Sequence, residues 1–119
     1  MTETFRNLIV WQEAKALALH VYNQSSTFPR EEQFGLTSQV RRASVSVVAN
    51  IAEGKGRGTK RDFCHFLLQA RGSLYEVETH LEIARDLGLL AEPGAASLLA
   101  ECDEVARILN GLINSTRTP

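Results

Sequence analysis

The sequence predicts an all-α protein, an antiparallel up-down-up-down bundle of four helices, and three observations predict it. Apolar residues recur at helical spacing along four stretches. Prolines stand only at 29, 93 and 119, which leaves long spans without a helix breaker. The connections between the stretches are short, and short connections make antiparallel neighbours the economical packing. A chain of 119 residues can bury its own core without disulfides or metals, and 1–119 reads as one domain without internal repeats or low-complexity segments.

The first helix is expected over about 7–27. Val10, Ala14, Leu17 and Val21 lie on one stripe, with Trp11, Ala18 and Tyr22 beside it. Phe28 and Pro29 end it, because proline restricts the residue before it and cannot continue a helix. The second helix is expected over about 36–53, with Leu36, Val40, Ala43, Val47 and Ile51 on one stripe and Val45, Val48 and Ala52 on another. The alternation Ser44, Val45, Ser46, Val47 would also suit a strand. Helix is preferred because the helical period holds on both sides and no partner strand is at hand to complete a sheet.

The third helix has the longest pattern: Phe63, Leu67, Ala70, Leu74, Val77, Leu81 and Ala84 form a sustained heptad seam. Thr59, Lys60, Arg61 and Asp62 read as a capping box at its start, with the hydroxyl and the carboxylate available to backbone N–H groups. Gly88 reads as a left-handed residue just past its end, with Leu89 folding back on the last turn. At ~1.5 Å per residue such a helix is on the order of 40 Å long. The fourth begins near Pro93, which a first turn tolerates, and carries Leu99, Cys102, Ala106, Leu109 and Ile113 at heptad spacing. The tail after Ser115 is expected to fray.

Composition narrows the functional classes. A hydrophobic fraction of 44% with 23% charged residues is that of a soluble globular protein, and no run approaches the roughly 18 apolar residues of a membrane span. The N-terminal MTETFRNLIVWQEAK lacks the basic start and apolar run of a secretory signal. Cys64 and Cys102, without CxxC spacing, read as reduced thiols used as small hydrophobes. A cytoplasmic protein without membrane contact is expected. The formal net charge of −1 conceals a polarised chain: residues 38–72 carry seven Arg or Lys against two acids, and residues 73–107 carry two against eight.

Arg41, Arg42, Lys55, Arg57, Lys60 and Arg61 form the basic group, and Gly54, Gly56 and Gly58 make the turn between the second and third helices pliable. Glycines let backbone N–H groups approach an anion, a helix N-terminus adds a favourable dipole, and cations at such positions supply non-specific nucleic-acid affinity. The plainer reading is a solvated surface turn, with Arg41 and Arg42 paired to acids. The uncharged run 43–52 is apolar on more than one side and needs cover on more than one side. Deep burial within the protomer and a subunit interface through Val45, Val48, Asn50 and Ala52 both satisfy that. Asn50, placed with Val40, Ala43 and Val47, would fix register or simply bond to local backbone.

Enzymatic chemistry has no support. GKGRGTK lacks P-loop spacing and no strand precedes it. A di-metal bundle site needs Glu-x-x-His sets, and Glu78 with His80 has the wrong spacing. His20 and His65 lack Cys or carboxylate partners at ligand spacing, and Ser44, Ser46 and Ser73 have no elbow motif. The acids Glu76, Glu78, Glu82, Asp86, Glu101, Asp103 and Glu104 read as solvated faces. No catalytic residue, metal, cofactor or small-molecule substrate is expected.

Several stretches carry a resemblance: Leu8-Ile9-Val10-Trp11-Gln12, Phe28-Pro29, Phe34-Gly35-Leu36-Thr37-Ser38-Gln39-Val40-Arg41-Arg42-Ala43, Asn50-Ile51-Ala52-Glu53-Gly54, and Arg71-Gly72-Ser73-Leu74 with Glu76 and Glu78. In this order they resemble the bacterial four-helix-bundle family of 23S rRNA intervening-sequence proteins, the S23 ribosomal protein family. Val48 stands where that family usually has proline, a departure that concerns a helix bend more than any chemistry. The chain is more remotely similar to the accessory protein of diversity-generating retroelements, a basic pentameric barrel that binds nucleic acid. The resemblance implies a homopentamer of four-helix protomers, with rRNA or another nucleic acid as partner, and no enzyme. Two hypotheses follow. One is an oligomer that binds RNA through the basic group, with little sequence specificity because few aromatics remain to read bases. The other is an oligomeric scaffold that binds another protein, its basic and acidic faces serving self-assembly.

Overall fold

The computed structural model describes residues 4–117. Four long helices follow one another: α1 (Ile9–Ser25), α2 (Leu36–Gly56), α3 (Lys60–Asp86) and α4 (Glu92–Arg117). Single 3-10 turns precede α1 (Phe5–Asn7) and join it to α2 (Arg30–Glu32), and no strand occurs among the described residues. Segment 44–47 is helical, because the 3.6-residue period buries Ser44 and Val47 while Val45 and Ser46 fall elsewhere on the cylinder.

Neighbours in the chain are neighbours in space. α1 packs on α2, α2 on α3, α3 on α4, and α4 closes the ring on α1, while the backbones of the diagonal pairs stay apart across the shared core. Named contacts fix the directions. Ser46 meets Ser73 while Gly54 meets Phe63 and Phe66, so α2 and α3 run oppositely. His20 meets Glu101 and Gln24 meets Gly94, which sets α1 against α4 in the same way. The result is the antiparallel up-down-up-down bundle, 46 Å along its longest axis.

Each helix buries one stripe. Val10, Ala14, Leu17 and Val21 of α1, the Leu36 to Ile51 stripe of α2, and Leu67 to Ala84 of α3 all enter one core, as their spacing predicts. Burying a leucine such as Leu74 contributes ~1.5–3 kcal/mol. In α4 the buried line is Leu98, Cys102, Val105, Leu109 and Ile113, while Leu99 and Ala106 sit half-buried at its edge. The expected seam was therefore one residue off at two of its five positions. Helix ends also follow their residues. The Thr59 hydroxyl accepts from the Asp62 N–H at 3.1 Å. Gly88 has φ +77°, its N–H bonds to the Arg85 carbonyl, and the Leu89 N–H reaches back to Ala84 at 2.9 Å, a Schellman closure. α4 continues through Arg117, beyond the expected fraying point at Ser115.

Candidate nucleic-acid interface

The junction of α2 and α3 differs from the pliable loop that its three glycines suggest. α2 runs through Gly54 and on to Gly56. Gly54 is buried at a close approach of the two helices: a Cβ there would lie 2.7 Å from Phe66 Cβ and 3.2 Å from Phe63 Cδ1. Gly58 alone needs glycine for its backbone, at φ +86°. The reversal is thus short and anchored on both sides, which gives the surrounding cations a defined mounting.

Lys55, Arg57, Lys60 and Arg61 are all exposed around this reversal. Arg57 donates to Glu53 at 2.7 Å and lies over the Phe66 ring, 5.0 Å from its centroid. Lys55 Nζ lies 5.8 Å from the Phe63 ring centroid. Lys55, Lys60 and Arg61 form no ion pair among the described residues. An open recess of about 180 Å³ is lined by Lys55, Gly58, Thr59, Lys60 and Phe63. The Thr59 hydroxyl accepts from Asp62, so its own proton remains available to donate.

The other two arginines of the basic group lie elsewhere. Arg41 Nε donates to Ser25 Oγ at 2.8 Å, its Nη2 donates to the Tyr22 carbonyl at 3.1 Å, and its guanidinium lies 4.7 Å from the Tyr22 ring centroid. It ties α2 to the C-terminal turn of α1, where orphan carbonyls need donors. Its partners are a serine, a carbonyl and an aromatic ring, not the acids anticipated. Arg42 is exposed without an ion pair among the described residues. Thirteen residues separate it from Lys55, about 20 Å along the helix. Four of the six cations are brought together; two are not.

Along α2, Val45 is 46% exposed and Val48 and Ala52 are half-buried. Asn50 is half-buried and donates from Nδ2 to the Ser46 carbonyl and hydroxyl, at 2.9 and 3.1 Å. It lies beside the buried stripe, not on it, and satisfies a polar seam that continues through Ser46 to Ser73 at 2.9 Å. The missed residues of the basic end are Phe63 and Phe66. Phe63 reads as the first member of the α3 seam, yet it is half-buried and faces the recess. Their signal is helical spacing: Phe63 stands about one turn and Phe66 about two turns past Gly58, close to the cations of the reversal.

The acidic half of the molecule is electrostatically distinct. Burial pushes the Glu78 carboxyl above its ordinary range, and the neighbouring Asp103 and Glu82 charges push it further. Burial likewise raises the Cys102 thiol to about 12, with Glu78, Asp103 and Glu101 adding to it. Arg107 holds the Glu104 carboxyl low through a direct hydrogen bond. His20 contacts Glu101 across α1 and α4, a partner that ligand spacing within a single helix could not show. No three His, Cys, Asp or Glu side chains converge into a metal-holding group among the described residues. No helix among them is long and apolar enough to cross a membrane.

These features define a charge-polarised antiparallel four-helix bundle with an exposed cationic end. The chain belongs to the family of 23S rRNA-intervening sequence proteins, whose family model matches residues 6–111. A crystal structure of an S23 ribosomal protein family member from Bacteroides thetaiotaomicron VPI-5482, a protein with unknown function, superposes with a TM-score of 0.79. It is 21% identical and the match covers 88% of this chain and 98% of that one, a likeness of fold. No protein of curated function matches the sequence. The family is not a known enzyme class.

Proposed function

We propose that this protein is a cytoplasmic, non-enzymatic, single-domain homo-oligomer, a pentamer, that binds RNA with little sequence specificity through the α2–α3 reversal. One observation carries the reading: Lys55 and Lys60 line an open recess, and neither they nor the adjacent Arg61 has an acidic partner among the described residues. Unneutralised cations grouped at one end of a bundle attract a polyanion, and phosphate contacts of this kind supply sequence-independent affinity. Arg42 adds a contact further along α2, whereas Arg41 is occupied by α1. Membership of a family described by 23S rRNA intervening sequences makes rRNA or a complex containing it the natural partner.

Assembly rests on α2, through Val45 and Val48 with Ala52 and Asn50 at the margin. Val45 leaves nearly half its surface in water on a helix otherwise without charge between Arg42 and Glu53. Five copies of the cationic end would act together on one long RNA, multiplying weak contacts. A titration of the intact protein with a fluorescent RNA tests this. Replacing Lys55, Arg57, Lys60 and Arg61 by alanine should weaken binding by orders of magnitude and flatten its salt dependence, with the oligomer intact. If the oligomer dissociates and the unmodified protein shows no RNA shift, the scaffold reading takes its place.

A further inference from the structure

We infer that the recess at the α2–α3 reversal takes an unpaired nucleotide, its phosphate on Lys55 and Lys60 and its base against Phe63, so that the RNA bound is single-stranded at the point of contact. This rests on the RNA-binding reading above and narrows it to one conformation of the polymer.

A duplex hides its base faces and offers a protein its phosphates and groove edges, so a site for duplex needs cations and no exposed ring. This end of the bundle couples each of two cations to a ring: Lys55 with Phe63 and Arg57 with Phe66. Aromatic faces beside a positively charged path are the combination that single-stranded nucleic acid uses, because every base has a face to stack. The recess is open and has a volume of about 180 Å³, well above the ~10–15 Å³ that one water needs. One wall is the Phe63 side chain, and the others are Lys55, Lys60, Thr59 and the bare backbone of Gly58. The lining thus combines two cations and a hydroxyl with one aromatic residue, the Lys55 ammonium lying over the Phe63 ring, which suits a group with a charged and a flat part. Asp62, the acid closest in sequence, is not among the lining residues, so no carboxylate opposes a phosphate there. Thr59 contributes its free hydroxyl proton.

Phe63→Leu keeps an apolar side chain at the edge of the core and removes the flat ring, and Phe63→Trp keeps a ring. The intact oligomer is titrated with a 20-nucleotide oligouridylate and with a blunt RNA duplex of equal phosphate number, at one salt concentration. The unmodified protein should favour the single strand about tenfold or more. Phe63→Leu should lower single-strand affinity about 5- to 100-fold, bringing the ratio towards one, and Phe63→Trp should restore it. Equal binding of both RNAs by the unmodified protein overturns the inference and leaves the RNA-binding reading standing. So does a Phe63→Leu variant that melts normally yet keeps its preference. If Phe63→Leu fails to fold, the Phe63→Trp variant decides: lost preference with normal folding overturns the inference, and retained or increased preference supports it. Failure of both RNAs to bind at low salt sinks the RNA-binding reading itself.

Discussion

Arg41→Ala should destabilise the protomer by about 1–3 kcal/mol in urea unfolding, because it strips the buried Ser25 hydroxyl and the Tyr22 carbonyl of a charged donor. The same variant should leave the slope of log RNA affinity against log salt unchanged, since this guanidinium is already engaged. In the sequence, Arg41 and Arg42 are indistinguishable. Arg41's partners stand 16 and 19 residues earlier, on another helix, and no local pattern reports a contact made by packing. Cys102 is the opposite case, since its place on an apolar stripe already marks it as core. Its thiol, raised to about 12 by burial first and by Glu78, Asp103 and Glu101 next, is protonated and sealed off. A thiol-reactive dye should therefore label Cys64 in the native protein and Cys102 only after unfolding, as read by mass spectrometry. Glu78 carries a sign that can be checked. Its carboxyl holds a proton more tightly in the folded than in the unfolded chain, so stability is lost as pH rises through the carboxylate range. Glu78→Gln should thus stabilise the protein near neutrality by less than about 1 kcal/mol and have no effect in acid below that range.

Two glycines separate what a helix needs from what its neighbours need. At Gly54 a Cβ would press within 2.7 Å of Phe66, so Gly54→Ala should cost about 1–3 kcal/mol by forcing α2 away from α3. At Gly72, in the middle of α3 and exposed, a Cβ meets nothing within 4 Å. Gly72→Ala should stabilise the isolated protomer by about 0.5–1 kcal/mol, through lower backbone entropy in the unfolded chain. Thermal melts of the pair, with opposite shifts, check both. The contrast also explains where helix boundaries escape the sequence. Three glycines within five residues read as a loop by propensity, yet α2 passes through two of them because Phe63 and Phe66 demand a bare backbone at Gly54. The α4 register failed for a related reason. Leu98 stands beside Leu99, and Val105 beside Ala106, so a period fits either member of each pair. The choice belongs to α1 and α3, which together admit Leu98 and Val105 and leave the others at the edge. In α3, Ala70, Val77 and Leu81 each stand between polar neighbours and pin the period, so the buried line is legible from Leu67 onward.

At the scale of the molecule the bundle is a rod 46 Å long with unlike ends. The reversal carrying Lys55, Arg57, Lys60 and Arg61 is at one end, and the antiparallel order of α3 and α4 puts Glu82, Asp86 and Glu92 towards the other. Polarity of this kind could drive assembly by joining basic to acidic ends, or it could leave assembly to apolar contact and reserve the basic end for RNA. The two respond to salt in opposite ways. Contacts between exposed charges weaken as the Debye length falls from ~10 Å at 0.1 M to ~3 Å at 1 M, whereas burial of valine and alanine does not. An interface centred on Val45 and Val48 therefore predicts an oligomer whose mass by light scattering is unchanged between these salt concentrations, while bound RNA is released over the same range. It also predicts the effect of Val45→Glu. In the protomer that side chain is 46% exposed, so a carboxylate there is hydrated and should leave the melting of the monomer nearly unaltered. In the oligomer it would be a buried charge without a partner, repeated in every subunit, and the assembly should fall to protomer mass. Dissociation by salt together with a Val45→Glu variant that stays assembled would transfer the interface from the apolar face of α2 to the charged ends.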